Sequence, residues 1–133
     1  MKKHSENALK LAAWLSTKQE VAWVNYPGLQ TSKYNQLAQK YLTKGQSGIV
    51  TFGLKKGFEG GKIVADETKL FALLANIGDT KSLIIHPAST THQQLDEEAQ
   101  KATGVTPDLI RLSVGLEDVN DLIEDLENAF ALL

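Results

Sequence analysis

The chain has 133 residues, 42% of them hydrophobic and 23% charged, enough to bury roughly two-thirds of its unfolded surface as one domain. A formal net charge of -2 with basic runs no longer than Lys55-Lys56 leaves no footprint for nucleic acid. No stretch nears the roughly 18 apolar residues that span a bilayer, and with no cysteine disulfides, thiolate zinc sites and thiol nucleophiles are excluded. Met1-Lys-Lys-His-Ser lacks the apolar core of a signal peptide, so a cytoplasmic location is expected.

Ser5 is placed to cap a first helix whose Ala8, Leu11, Ala12 and Leu15 follow the i, i+3, i+4, i+7 spacing of one buried face, ending near Lys18. Val21 to Tyr26 is rich in strand formers and stops at the turn pair Pro27-Gly28. Ser32 opens a second helix, with Tyr34, Leu37, Ala38, Tyr41 and Leu42 at helical spacing and Gly45 as its stop. Ile49 to Leu54 is the next strand, with Val50, Phe52 and Leu54 in one row.

Gly57-Phe-Glu-Gly-Gly61 lacks the GxxxxGKS or GxxxxGKT pattern of a phosphate cradle, so its glycines predict a turn leading into a helix. That helix is expected over Ile63 to Leu74, with Ile63, Leu70, Phe71 and Leu74 as its stripe and Gly78-Asp79 beyond its end. Ser82 to His86 reads as a strand closed by Pro87. His86 and His92 bracket a short loop, where hydrogen bonding is expected in preference to metal ligation. Asp96 to Lys101 predicts a short exposed helix ending at Gly104.

Leu109 to Val114 alternates cleanly, with Ile110, Leu112 and Val114 facing the core and Leu109, Arg111 and Ser113 facing away. Glu117, Asp118 and Asp121 then load the first turn of a last helix, which the helix dipole favours; its buried stripe is Val119, Leu122, Ile123, Leu126 and Phe130. Helices alternating with strands predict an α/β two-layer sandwich. Single apolar stripes put the helices on one sheet face, and the opposite row, Ile49, Thr51, Ile84, Arg111 and Ser113, is mixed and suits a partner.

Arg111 is the only arginine. A lone guanidinium on a strand serves either as a structural salt bridge to an acidic neighbour or as a bidentate anchor for a carboxylate or phosphate.

Arg111-Leu-Ser-Val-Gly-Leu-Glu117, together with Ser82-Leu-Ile-Ile-His-Pro-Ala-Ser-Thr-Thr-His92, resembles the C-terminal part of the pyridoxal-phosphate-dependent Cys/Met metabolism (transsulfuration) family. Asn76-Ile-Gly-Asp-Thr-Lys-Ser82 and Thr106-Pro-Asp-Leu-Ile-Arg111 are most similar to its O-acetylhomoserine sulfhydrylase branch. The similarity extends from His4-Ser-Glu-Asn7 through Asn25-Tyr-Pro-Gly28 to the last helix.

The resemblance implies a C-terminal domain covering residues 1–133: a small, largely antiparallel sheet with helices on one face, docked on a large cofactor domain that is absent here. It implies that Arg111 binds the substrate α-carboxylate. Asn76 would sit beside that carboxylate, where some branches carry serine; alternatively it is a helix-ending turn residue. Ser82, His86, Ser89, Thr91 and His92 would shape the pocket without being catalytic.

The family's cofactor lysine lies in a Ser-x-Thr-Lys context, and Leu15-Ser-Thr-Lys18 departs from it, so Lys18 is expected to be a solvated helix-end lysine. The parent would use pyridoxal phosphate to join O-acetylhomoserine and sulfide into homocysteine with loss of acetate. This chain is expected to hold no cofactor or metal, to be inactive alone, and to form homo-oligomers. The same domain of a cystathionine γ-synthase or γ-lyase, a free-standing interaction or regulatory module, and an unrelated carboxylate-binding α/β domain are the alternatives.

Overall fold

The structure is a computed structural model describing residues 1–133. Five strands form one sheet: β1 (Val21–Asn25), β2 (Ile49–Leu54), β3 (Ala72–Leu73), β4 (Leu83–Ile85) and β5 (Leu109–Ser113), in the order β1-β2-β5-β4-β3. Every neighbouring pair is antiparallel except β3–β4. Three helices, α1 (Lys2–Leu15), α3 (Gly57–Glu67) and α5 (Val119–Phe130), share one core with the inward row of the sheet. Two shorter helices, α2 (Asn35–Tyr41) and α4 (Glu97–Ala102), flank it. This is the expected two-layer arrangement, and no helix is long and apolar enough to cross a membrane.

The core forms where the two periodicities meet. Val50, Phe52 and Leu54 from β2, with Ile110 and Leu112 from β5, supply the period-two row, and Leu122, Leu126 and Phe130 of α5 supply the helical stripe. Phe130 joins the layers, stacking on Trp14 at 5.8 Å and meeting Phe52 edge-on at 6.3 Å.

Four expectations need correction. Helix α1 begins at Lys2 and places Ser5 in its first turns, because its buried face starts with two polar residues, His4 and Asn7, which an apolar count overlooks. Gly60 and Gly61 lie inside α3 and are not a turn. A β-carbon at Gly61 would stand 2.5 Å from His86 Cδ2, so close packing, not backbone bending, requires that glycine.

Helix α3 ends at Glu67, well short of Leu74. The reason is Asp125 of α5, whose carboxylate accepts the backbone N–H groups of Lys69, Leu70 and Phe71 at 2.8, 2.9 and 3.2 Å. These donors are satisfied without a helix, and the chain turns out into β3. Finally, Ile84 belongs to the core face. Antiparallel register pairs it with Leu112, so Leu83 and Ile85 are the β4 residues on the side of Ser113 and Arg111.

The second helix keeps its predicted spacing, yet only Ala38 is buried; Tyr34, Leu37, Tyr41 and Leu42 remain exposed. Asp96 caps α4 through the Ala99 N–H, and Asp118 caps α5 through the Asn120 N–H.

Candidate functional site around Arg111

Strand β5 is the middle strand of the sheet, and its outward row carries Arg111 between Thr51 of β2 and Ile85 of β4. The core-facing neighbours Ile110 and Leu112 are fully buried, so the strand cannot slip by one residue without driving the guanidinium into the helical layer. Arg111 is half-buried, and its Nη2 donates to the Asn76 carbonyl oxygen at 2.7 Å. The chain's ion pairs are Lys2–Glu6, Lys18–Glu127 and Lys101–Glu97; none involves Arg111. The salt-bridge role is therefore not filled within this chain, and the other guanidinium N–H donors have no hydrogen-bond partner in it.

Asn76 stands next to Arg111, in an exposed segment between β3 and β4. Its backbone oxygen holds the arginine while its Oδ1 accepts the Ile77 N–H at 2.8 Å, a turn-type bond. Asn76 does not end a helix, because α3 stops at Glu67; it is a turn residue between β3 and β4 whose carbonyl oxygen accepts from Arg111.

The five loop residues separate. Ser82 is fully buried where β4 begins, with its N–H and hydroxyl donating to Glu117 at 2.7 and 2.8 Å and its Oγ accepting the Gly115 N–H at 2.8 Å. His86 is equally buried. Its Nε2 meets the Pro107 carbonyl at 2.7 Å, an acceptor only, so Nε2 carries the proton and Nδ1 accepts the Ser89 hydroxyl at 2.8 Å. Phe58 packs edge-on against the ring at 5.0 Å. Ser82 and His86 therefore brace the loop from inside and do not present themselves to a ligand. Ser89 borders a cleft of about 460 Å³ with Phe58, Gln100 and Pro107. Thr91 is exposed and bonds to His92 Nδ1 at 2.8 Å. No three His, Asp or Glu side chains converge as a metal site.

Sequence reasoning missed three polar residues that hold this region. Glu117, read as a helix-dipole residue, clasps Ser82. Gln100, on a helix expected to be solvated, reaches in to the carbonyls of Ala88, His92 and Leu95 at 3.3, 2.9 and 3.3 Å. Asn7 donates to the carbonyls of Gly115 and Glu117 at 3.1 and 2.9 Å. A polar residue on the buried stripe of a helix was the available signal for Asn7; for Glu117 and Gln100 there was none.

A pyridoxal phosphate site needs a desolvated lysine and a cradle of converging N–H donors. Twelve of the thirteen lysines are exposed. The exception, Lys18, is half-buried just past the end of α1: it contacts Glu127 Oε1 at 2.6 Å in an exposed ion pair and lies 4.8 Å over the Trp14 ring, and that bond holds the Glu127 carboxyl below its usual range. Glycines whose surroundings admit no β-carbon are filled by the chain itself, Gly61 by His86 and Gly53 by Trp23 and Asp108. These residues do not assemble a site for the cofactor.

A family model described as Cys/Met metabolism PLP-dependent enzyme matches residues 1–131. The chain is 51% identical over 129 residues to O-acetyl-L-homoserine sulfhydrylase 1 of Thermus thermophilus, covering 97% of this chain and 31% of that protein. It is 55% identical over 130 residues to O-acetyl-L-homoserine sulfhydrylase of Leptospira meyeri, covering 97% and 29%. A crystal structure of an O-acetylhomoserine (thiol)-lyase from Campylobacter jejuni, with N'-pyridoxyl-lysine-5'-monophosphate, matches with a TM-score of 0.88 at 48% identity over 97% of this chain and 31% of that one. The chain thus spans about a third of the length of the proteins it matches.

Proposed function

We propose, for a chain that belongs to the Cys/Met metabolism PLP-dependent enzyme family, that it is the C-terminal domain of an O-acetylhomoserine sulfhydrylase and that Arg111 receives the α-carboxylate of the amino-acid substrate. The parent would convert O-acetylhomoserine and sulfide to homocysteine and acetate. The observation that carries this reading is the lone arginine, half-buried on the outward row of the sheet, oriented by the Asn76 carbonyl and paired with no carboxylate of its own. A guanidinium held at one nitrogen presents its remaining edge as a fork, which fixes a carboxylate in both position and plane. Fixing the substrate in that way lowers the barrier by orientation, with no proton moved by Arg111.

The cofactor chemistry is assigned to the part of the parent that lies outside this chain. The exposed Leu73, Leu74 and Ile77, on the segment that delivers Asn76, would face that larger domain. In the full-length enzyme, Arg111→Lys keeps the charge and loses the fork. A loss of about 10²-fold in kcat/KM, equivalent to about 3 kcal/mol, is expected with cofactor content unchanged. Unchanged kinetics would refute the carboxylate role.

The 133-residue chain itself is expected to be labelled only weakly and at several lysines when treated with pyridoxal phosphate and borohydride, since its amines are exposed. Stoichiometric labelling of one lysine, with sulfide-dependent turnover of O-acetylhomoserine, would overturn the reading of the chain as an inactive domain.

A further inference from the structure

We infer that His4 and Asn7, on the first helix, are positioning residues that set the direction of Arg111; this rests on the carboxylate reading of Arg111 for its functional meaning.

The acceptor that orients Arg111 is a backbone carbonyl in a segment with almost no packing of its own. Every side chain from Leu73 to Gly78 is exposed. The place of the Asn76 oxygen is therefore set by the backbone bonds on either side of it, the pairing of Ala72 and Leu73 with β4 before it and the bonds at Asp79 and Thr80 after it. His4 Nε2 donates to the Asp79 carbonyl at 2.9 Å, and the Leu116 N–H donates to the Thr80 carbonyl at 2.8 Å. Gly115 lies against Thr80 and Lys81, with no room for a β-carbon beside the Thr80 oxygen and the Lys81 carbonyl carbon. Gly115 and Glu117 are in turn held by the Asn7 amide, at 3.1 and 2.9 Å. Two successive turns of α1 thus clamp both strips of chain beside Arg111, His4 from the Asp79 side and Asn7 from the Gly115 side.

The clamp is made at a cost. His4 and Asn7 are 6% and 1% exposed, and His4 Nδ1 and Asn7 Oδ1 are buried without partners. Burying such atoms opposes folding, so an apolar pair of similar volume would serve the core better. What an apolar pair lacks is the N–H donors aimed at the carbonyls of residues 79, 115 and 117.

Because Arg111 is the only arginine, its Nε–H nuclear magnetic resonance signal reports on it without ambiguity. The test compares the 133-residue chain with His4→Phe and Asn7→Leu, which keep the approximate side-chain shape and remove the donors. His4→Gln retains a donor, and Leu126→Ala destabilises the core away from the site. In His4→Phe and Asn7→Leu the arginine signal should move toward that of free arginine, and Leu116 amide exchange should quicken about tenfold. His4→Gln should restore both, and Leu126→Ala should lower the melting temperature without moving the signal. A signal unmoved by both donor-free variants, or moved equally by Leu126→Ala, overturns the proposal. If a donor-free variant does not fold, failure of His4→Gln to keep the wild-type signal overturns it. Acetate added to the wild-type chain separates the two readings. A response at Arg111 supports the carboxylate role, and its absence defeats that role while leaving the variants to judge the clamp.

Discussion

Tyr26 shows how burial alone changes the chemistry of a residue. Its ring is fully buried, its hydroxyl donates to the carbonyls of Ser47 at 2.9 Å and Ser5 at 3.3 Å, and desolvation pushes its pKa up to about 12. A folded pKa above the unfolded value of 10.0 means that the stabilisation is complete below pH 10 and is lost between pH 10 and 12. Urea unfolding of the wild-type chain should therefore show a loss of roughly 2 kcal/mol across that window relative to Tyr26→Phe. A constant difference between the two would refute the assignment. Gly61 makes a steric statement at the same scale, since a β-carbon there meets the buried His86 ring. Gly61→Ala should cost about 1–3 kcal/mol despite the better helix propensity of alanine. On a His86→Ala background the cost should largely vanish, because the ring that causes the clash is gone.

Helix α5 is more than a cover for the sheet. One side carries the apolar stripe, and Asp125 beside it collects three N–H groups of the chain that leaves α3. Asp125→Ala strands those donors next to the core. A loss of about 2–3 kcal/mol is expected, with amide exchange accelerated at Lys69, Leu70 and Phe71 ahead of α3 itself. Uniform acceleration would instead mean that α5 had loosened as a whole. Helix α2 is the opposite case: its spacing is helical and it forms, but its apolar row finds no second layer. Local spacing dictates a helix face without dictating what covers it.

The whole molecule carries more exposed apolar surface than its core requires. Leu73, Leu74 and Ile77 are 52%, 54% and 67% exposed on the segment beside Arg111, and the outer row of α2 adds Tyr34, Leu37 and Tyr41. Such surface favours association in water. Sedimentation velocity should show mass rising with concentration, and Leu74→Glu with Ile77→Glu should suppress the rise. A monomer at all concentrations would refute this, while association reversed only by Leu37→Glu would move the contact to α2.

The α/β class, the strands β2 and β5, the helix α5 and the outward direction of Arg111 were all determined by the sequence alone. Each follows from alternation or helical spacing within a dozen residues, and such periodicity is a local property of the chain. The motifs around Ser82 and Arg111 likewise identified the family. Only the tertiary structure decided the rest. The face of Ile84 depended on its register with Leu112, and the end of α3 on a carboxylate 56 residues from Lys69. The bracing of the loops depended on Glu117, 35 residues from Ser82, and on Asn7, 108 residues from Gly115. A polar side chain looks the same in sequence whether it meets water or a buried carbonyl. Which it meets is set when distant segments come together, because a buried donor or acceptor must find its partner wherever the packing of the apolar faces has placed one.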